Sequence, residues 1–183
     1  MELRADRPDG AARISCVEAL TSPESPANSA IFSAVHGETF NCPAEISEAR
    51  NGLTIDRMEI NCDAGGEGEF IGGRGIRLDY RIRRDDSFLT LGYTRSRILP
   101  WALDGGREGS ANYALILRKD GSSQRFAYSS GIRVDRDDVI RIITGAGGGV
   151  GDPRKRPPEK VLADIRNGYL DPERAAEIYG ITP

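Results

Sequence analysis

The sequence predicts a mainly β fold of the α+β class: a β-rich body with glycine-rich joints that runs into two short helices. Three observations carry this. Ile76, Leu78, Tyr80 and Ile82 alternate strictly with Arg77, Asp79, Arg81 and Arg83, the period-2 pattern of a strand with one buried face and one wet face. Five glycines fall between Gly145 and Gly151, in the run Thr-Gly-Ala-Gly-Gly-Gly-Val-Gly-Asp-Pro at 144–153. After Pro158 the apolar residues recur three and four apart, between proline starts and glycine stops.

Taken in order, residues 1–30 are polar and marked by Arg-Pro-Asp-Gly and Ser-Pro-Glu-Ser-Pro. They read as an arm, poorly ordered or belonging to something upstream. Residues 31–153 read as the β-rich domain, and 154–183 as its two-helix tail. Within the body, 41–50 predicts a short helix. Asn41 is its candidate cap, Pro43 suits its first turn, Glu45 and Glu48 favour its positive end, and Asn51-Gly52 stops it. Strands are predicted at 53–60, 75–83, 87–93 and 134–145, with a hairpin over 112–128 turning at Lys-Asp-Gly-Ser. In the tail, Pro158 opens a helix that Gly168 ends. Asp171 caps a second, with Pro172 in its first turn and Gly180 as its stop.

Composition narrows the function classes. Lys plus Arg number 25 and Asp plus Glu 28, a net charge of −3 with no long basic run, which argues against nucleic-acid binding. No apolar stretch is long enough to span a bilayer, and the charged start Met-Glu-Leu-Arg lacks the apolar core of a signal peptide. Cys16, Cys42 and Cys62 are odd in number and none forms a Cys-x-x-Cys pair, so they read as reduced thiols of a cytoplasmic protein. With His36 the only histidine, the chain offers no zinc cluster of the usual kind, and no bound metal is expected.

The glycine run is the first chemical candidate. A phosphate-binding P-loop needs a following Gly-Lys-Ser/Thr, and here Asp152-Pro153 follows. A dinucleotide fingerprint needs glycines at places one, three and six before a helix. From Gly145 the sixth place is Val150, and no helix is predicted before the Pro157-Pro158 pair. Backbone geometry remains: Gly147, Gly148 and Gly149 let another chain, or a substrate, approach at backbone distance, and extended polyproline-like segments packed side by side would order them. A surface linker is the plain alternative. His36 is a candidate for proton transfer or substrate contact if partners converge on it. Cys42 as a nucleophile would need His36 beside it. Asp85-Asp86 and Asp137-Asp138 are adjacent pairs whose side chains would diverge in a strand, and turn chemistry accounts for them better than acid–base work.

The order of these segments resembles the hydantoinase B family, which includes the B-type half of 5-oxoprolinase, over its C-terminal part and roughly four-fifths of this chain. The motifs are Asn41-Cys42-Pro43-Ala44-Glu45, Asp63-Ala64-Gly65-Gly66-Glu67-Gly68, Ile71-Gly72-Gly73-Arg74-Gly75, Pro100-Trp101 through Gly105-Gly106, Gly145 through Pro153, and Val161 to Asp164 followed by Tyr179-Gly180. Family chains are much longer. The resemblance implies sheets in a barrel-like arrangement that run into a bundle of polyproline-like segments. It implies a subunit or C-terminal fragment of an ATP-dependent cyclic-amide hydrolase, inactive alone, acting on a small-molecule substrate. A hydantoinase A-type partner would hold ATP and magnesium and phosphorylate a ring carbonyl, with a longer B-type chain completing the complex. His36 and Asn41, the latter through a carbonyl hydrogen bond or as a mere cap, are the site residues it suggests. A subunit of a ketone carboxylase and a non-catalytic assembly module are the alternative readings.

Overall fold

The computed structural model describes residues 43–182, and before them only the backbone of four short strands: β1 (Glu2–Ala5), β2 (Ala12–Arg13), β3 (Leu20–Ser22) and β4 (Ser25–Asn28). The body that follows is α1 (Ala44–Asn51), β5 (Leu53–Ile60), β6 (Ile76–Ile82), β7 (Ser87–Gly92), β8 (Tyr113–Leu117), β9 (Ser123–Phe126), β10 (Tyr128–Val134) and β11 (Val139–Ile143). The tail is α2 (Pro158–Arg166) and α3 (Pro172–Tyr179).

The strands form a five-stranded sheet in the order β5-β6-β11-β8-β9 and a four-stranded sheet in the order β10-β7-β1-β2, antiparallel throughout. One core joins them. Leu53, Ile76, Leu78, Tyr80, Ile82, Ala114, Ile116, Ile140 and Ile142 come from the first sheet, and Leu89, Leu91 and Val134 from the second. The chain changes sheets at the Asp85-Asp86 turn, so β6 and β7, consecutive in sequence, are not paired with each other. The alternation in β6 emerges as expected, with Ile76, Leu78, Tyr80 and Ile82 all buried. Asp79 on the opposite face is buried too, because Arg141 of β11, its cross-strand partner, holds both carboxylate oxygens at 2.8 and 2.7 Å. Such fork-to-carboxylate pairs are among the stronger polar contacts available to a sheet face.

The expected barrel-like closure is not found. Among the described residues the five-stranded sheet stays open, with β5 and β9 each paired on one side only. A closed barrel needs strands that carry an apolar face all the way round. Here β9, Ser-Gln-Arg-Phe, is polar and exposed apart from Phe126, its one residue against the core, and α1 packs against β5 at the other edge. The helix α1 starts at Ala44 with Pro43 in the cap position and no side-chain cap, and Gly52 ends it in the left-handed conformation. Asn41 lies outside the described residues. Among the described residues no helix is long and apolar enough to cross a membrane.

Candidate functional site

The 144–153 run passes through a bundle of non-regular segments built from 61–75, 100–112 and 144–153. Buried polar side chains guide its entry. The Thr144 hydroxyl accepts from the Ile76 amide at 2.7 Å, and the Thr144 carbonyl accepts from Asn61 Nδ2 at 3.0 Å. Asn112 Oδ1 accepts from the Gly145 amide at 2.7 Å, and Ser110 Oγ from the Ala146 amide at 2.9 Å. Beyond that point backbone meets backbone. The Gly147 amide donates to Gly73 at 2.9 Å and the Gly149 amide to Arg107 at 3.0 Å, while the Gly149 carbonyl accepts from Leu103 at 3.1 Å. Phe70 and Val150 exchange both hydrogen bonds, at 3.0 and 2.9 Å. A Cβ on Gly148 would run into the Trp101 carbonyl oxygen, one on Gly149 into that of Glu67, and one on Gly72 into that of Gly147. The run is therefore packed against two other parts of this same chain, and is not a surface linker.

Two arginines fasten the tail to this bundle. Arg174 of α3 donates to Glu67 Oε1 at 2.5 Å and to the Cys62 carbonyl at 3.2 Å. Arg156 donates to the Glu69 carbonyl at 3.1 Å and to Asp164 at 2.9 Å. Burial pushes the Glu67 carboxyl up, but hydrogen bonds from the Gly65 amide, its own backbone and Arg174 outweigh it and hold the group below the usual glutamate range. Glu67 is thus an ionised structural acceptor. Tyr179, buried at the end of α3, is pushed up to about 12 by that burial, against the opposing pull of Arg156.

Of the residues singled out from sequence, Gly147, Gly148 and Gly149 sit inside the bundle. His36, Asn41, Cys16 and Cys42 lie outside the described residues. The paired aspartates serve turns: Asp85 accepts from the Arg136 amide at 3.1 Å, and Asp138 accepts from Arg118, at 2.6 Å, and from the Lys119 and Asp135 amides. Among the described residues no group of three or more His, Cys, Asp or Glu side chains could hold a metal ion. Sequence reasoning did not single out Glu67, Arg174, Asn61 or Asn112. Glu67 carried one usable signal, a lone carboxylate among Gly65, Gly66 and Gly68.

The bundle segments leave three large apolar side chains exposed. Trp101 is 66% exposed and Leu103 52%, with Phe70 at 36% beside them. Val150, itself buried, is bridged through its backbone to Phe70 on one side and to Leu103 on the other, so the segments that carry these two exposed side chains flank the same residue. The Arg95 guanidinium lies over the Trp101 ring, 5.2 Å from its centroid.

Comparison with known proteins gives this bundle its setting. The caprolactamase subunit beta of Pseudomonas jessenii is 30% identical over 145 residues, 75% of this chain and 24% of that protein. The crystal structure of the ATP-dependent caprolactamase from the same species superposes with a TM-score of 0.68 at 27% identity, over 78% of this chain and 25% of that one. A nucleotide-free acetone carboxylase structure superposes at 0.79 over 88% of this chain and 26% of that one. Its 21% identity shows a shared fold. The chain thus spans about a quarter of the length of the curated relatives it matches. Residues 11–153 match the family described as Hydantoinase B/oxoprolinase, and the chain belongs to that family.

Proposed function

We propose that this chain serves as the C-terminal unit of a B-type subunit in a cytoplasmic, ATP-dependent hydrolase that opens a cyclic amide such as a lactam or hydantoin. The observation that carries the reading is the family match through residues 11–153, supported by identity to a caprolactamase subunit. In this reading a hydantoinase A-type partner, carrying ATP and magnesium, transfers a phosphoryl group to the ring carbonyl oxygen. Water then attacks the activated carbon. The tetrahedral adduct collapses with cleavage of the ring C–N bond, the nitrogen leaving as the protonated amine, to an acyl phosphate that a second water hydrolyses to carboxylate and inorganic phosphate. Phosphorylation makes the amide carbon electrophilic enough for the first attack, which is where ATP lowers the barrier. The role of this chain is to shape the chamber in which the intermediate is hydrolysed, with His36 for proton transfer or substrate contact, Asn41 for a carbonyl hydrogen bond, and the Gly147–Gly149 backbone for close approach.

The test is reconstitution. The full chain is combined with the A-type and B-type polypeptides of its own genome, and ATP-dependent ring opening of lactams and hydantoins is measured with and without it. Loss of at least about tenfold in kcat on omission is expected. Unchanged ring opening on omission refutes the reading in favour of an assembly module. Turnover that appears only with a ketone and bicarbonate assigns the chain to a carboxylase instead.

A further inference from the structure

We propose that the apolar ridge of Trp101, Leu103 and Phe70 is the docking face for the remainder of a B-type subunit. The inference rests on the reading of this chain as one unit of such a subunit. The ridge is built by the fold and is not an accident of loose loops. Phe70 and Leu103 flank Val150 in a continuous ladder, the Leu103 amide donating to Gly149 and its carbonyl accepting from Gly151 at 3.0 Å. The Trp101 carbonyl oxygen sits where a Cβ on Gly148 would be, so the segment that presents the indole is held at backbone distance to the bundle. Well-anchored segments that turn a tryptophan and a leucine into water are expected where another surface covers them. Arg95 lies over the Trp101 ring, and Asp104, Arg107 and Glu108, all exposed, follow Leu103 in the same segment, charges of both signs such as rim a protein–protein contact.

The occupant follows from length and position. The related subunits are about four times longer than the stretch they share with this chain. A unit of this size inside such a subunit must pack against the other three-quarters. The ridge lies wholly within the family-matched residues 11–153, and the helical tail beyond 153 is fastened to the bundle at Glu69, Glu67 and Cys62, through Arg156 and Arg174.

Trp101 is the only tryptophan, so the chain carries its own reporter. The full chain labelled with 5-fluorotryptophan gives one ¹⁹F resonance from position 101, and it is titrated with the B-type polypeptide of its own genome. The expected result is a shift of that resonance with loss of its sensitivity to D₂O. Trp101→Ala and Leu103→Lys each weaken binding at least about tenfold, while Phe88→Ala, at an exposed site on β7 of the four-stranded sheet, leaves it unchanged. Binding with an unmoved resonance and unaffected variants overturns the docking face while leaving the functional reading intact. A resonance that shifts with the concentration of this chain alone assigns the ridge to a second copy and overturns it as well. Failure to bind both A-type and B-type polypeptides overturns the functional reading itself.

Discussion

Gly72, Gly148 and Gly121 separate two reasons for a glycine. At Gly72 and Gly148 an added Cβ would meet a backbone carbonyl oxygen of another segment, which cannot swing aside as a side-chain end can. At Gly121, in the β8–β9 turn, φ is +85° and nothing lies within 4 Å, so only the local conformation resists substitution. Gly121→Ala is expected to cost about 1 kcal/mol, and Gly72→Ala and Gly148→Ala about 3 kcal/mol or more each. Urea unfolding read by circular dichroism measures all three, and equal costs would contradict the packing account. The Lys-Asp-Gly-Ser turn marks Gly121 in the sequence, but nothing marks Gly72 or Gly148 as close approaches, since a close approach is set by the neighbour. The run was legible as a packing device, but its neighbours were not, because a backbone carries no side-chain label. The same holds for Glu67 and Arg174, which meet across 107 positions.

Elements were legible where local chemistry and tertiary setting agree. The β6 strand followed from alternation, the β8–β9 hairpin from its turn residues, and α3 from Asp171, which accepts from the Glu173 and Arg174 amides, and from Gly180 in the left-handed conformation. The β10 strand was missed. Its register slips between Ser129 and Ile132 and most of it is exposed, so Tyr-Ser-Ser-Gly-Ile-Arg-Val shows no alternation. The tail gives the clearest element-scale prediction, because its two ends report on pH in opposite directions. Glu67 has a folded pKa below its unfolded value, so the contribution of its pairing to α3 is present above the unfolded pKa, about 4.5, and is lost as pH falls through the lower folded value. Tyr179 has a folded pKa of about 12 against 10, so its contribution is present below pH 10 and is lost as pH rises through 12. Urea midpoints are therefore expected to fall at both extremes. The deficit of Glu67→Gln relative to wild type should shrink below pH 4, and Tyr179→Phe should lose the alkaline fall between pH 10 and 12. A Glu67→Gln deficit that persists undiminished at low pH would show that the carboxylate charge is not what holds the tail.

At the scale of the whole molecule, the β-rich body and helical tail were legible and closure of the sheet was not. Whether a sheet closes depends on what its last strand pairs with, and β9 offers a single apolar residue, Phe126, too little to read. The family motifs were visible in order along the chain, whereas the apolar ridge was not, because Phe70 and Leu103 become neighbours only through Val150. The interlocked glycine bundle has a consequence in time. Its fastenings join residues far apart, with Asn61 to Thr144 across 83 positions, Ile76 to Thr144 across 68 and Ser110 to Ala146 across 36. Glycine-rich chain loses more conformational freedom on ordering than any other, and no single one of these contacts offsets that loss. The three segments therefore have to arrive together, late, on strands already paired. Stopped-flow refolding should show Gly148→Ala accelerating unfolding while leaving the folding rate within about twofold of wild type, the signature of contacts made after the barrier. Slowed folding in that variant would place the bundle in the nucleus instead. A late bundle means that a nascent chain already has its two sheets while Trp101, Leu103 and Phe70 are still unassembled, so the ridge comes into being only on a molecule that has finished folding.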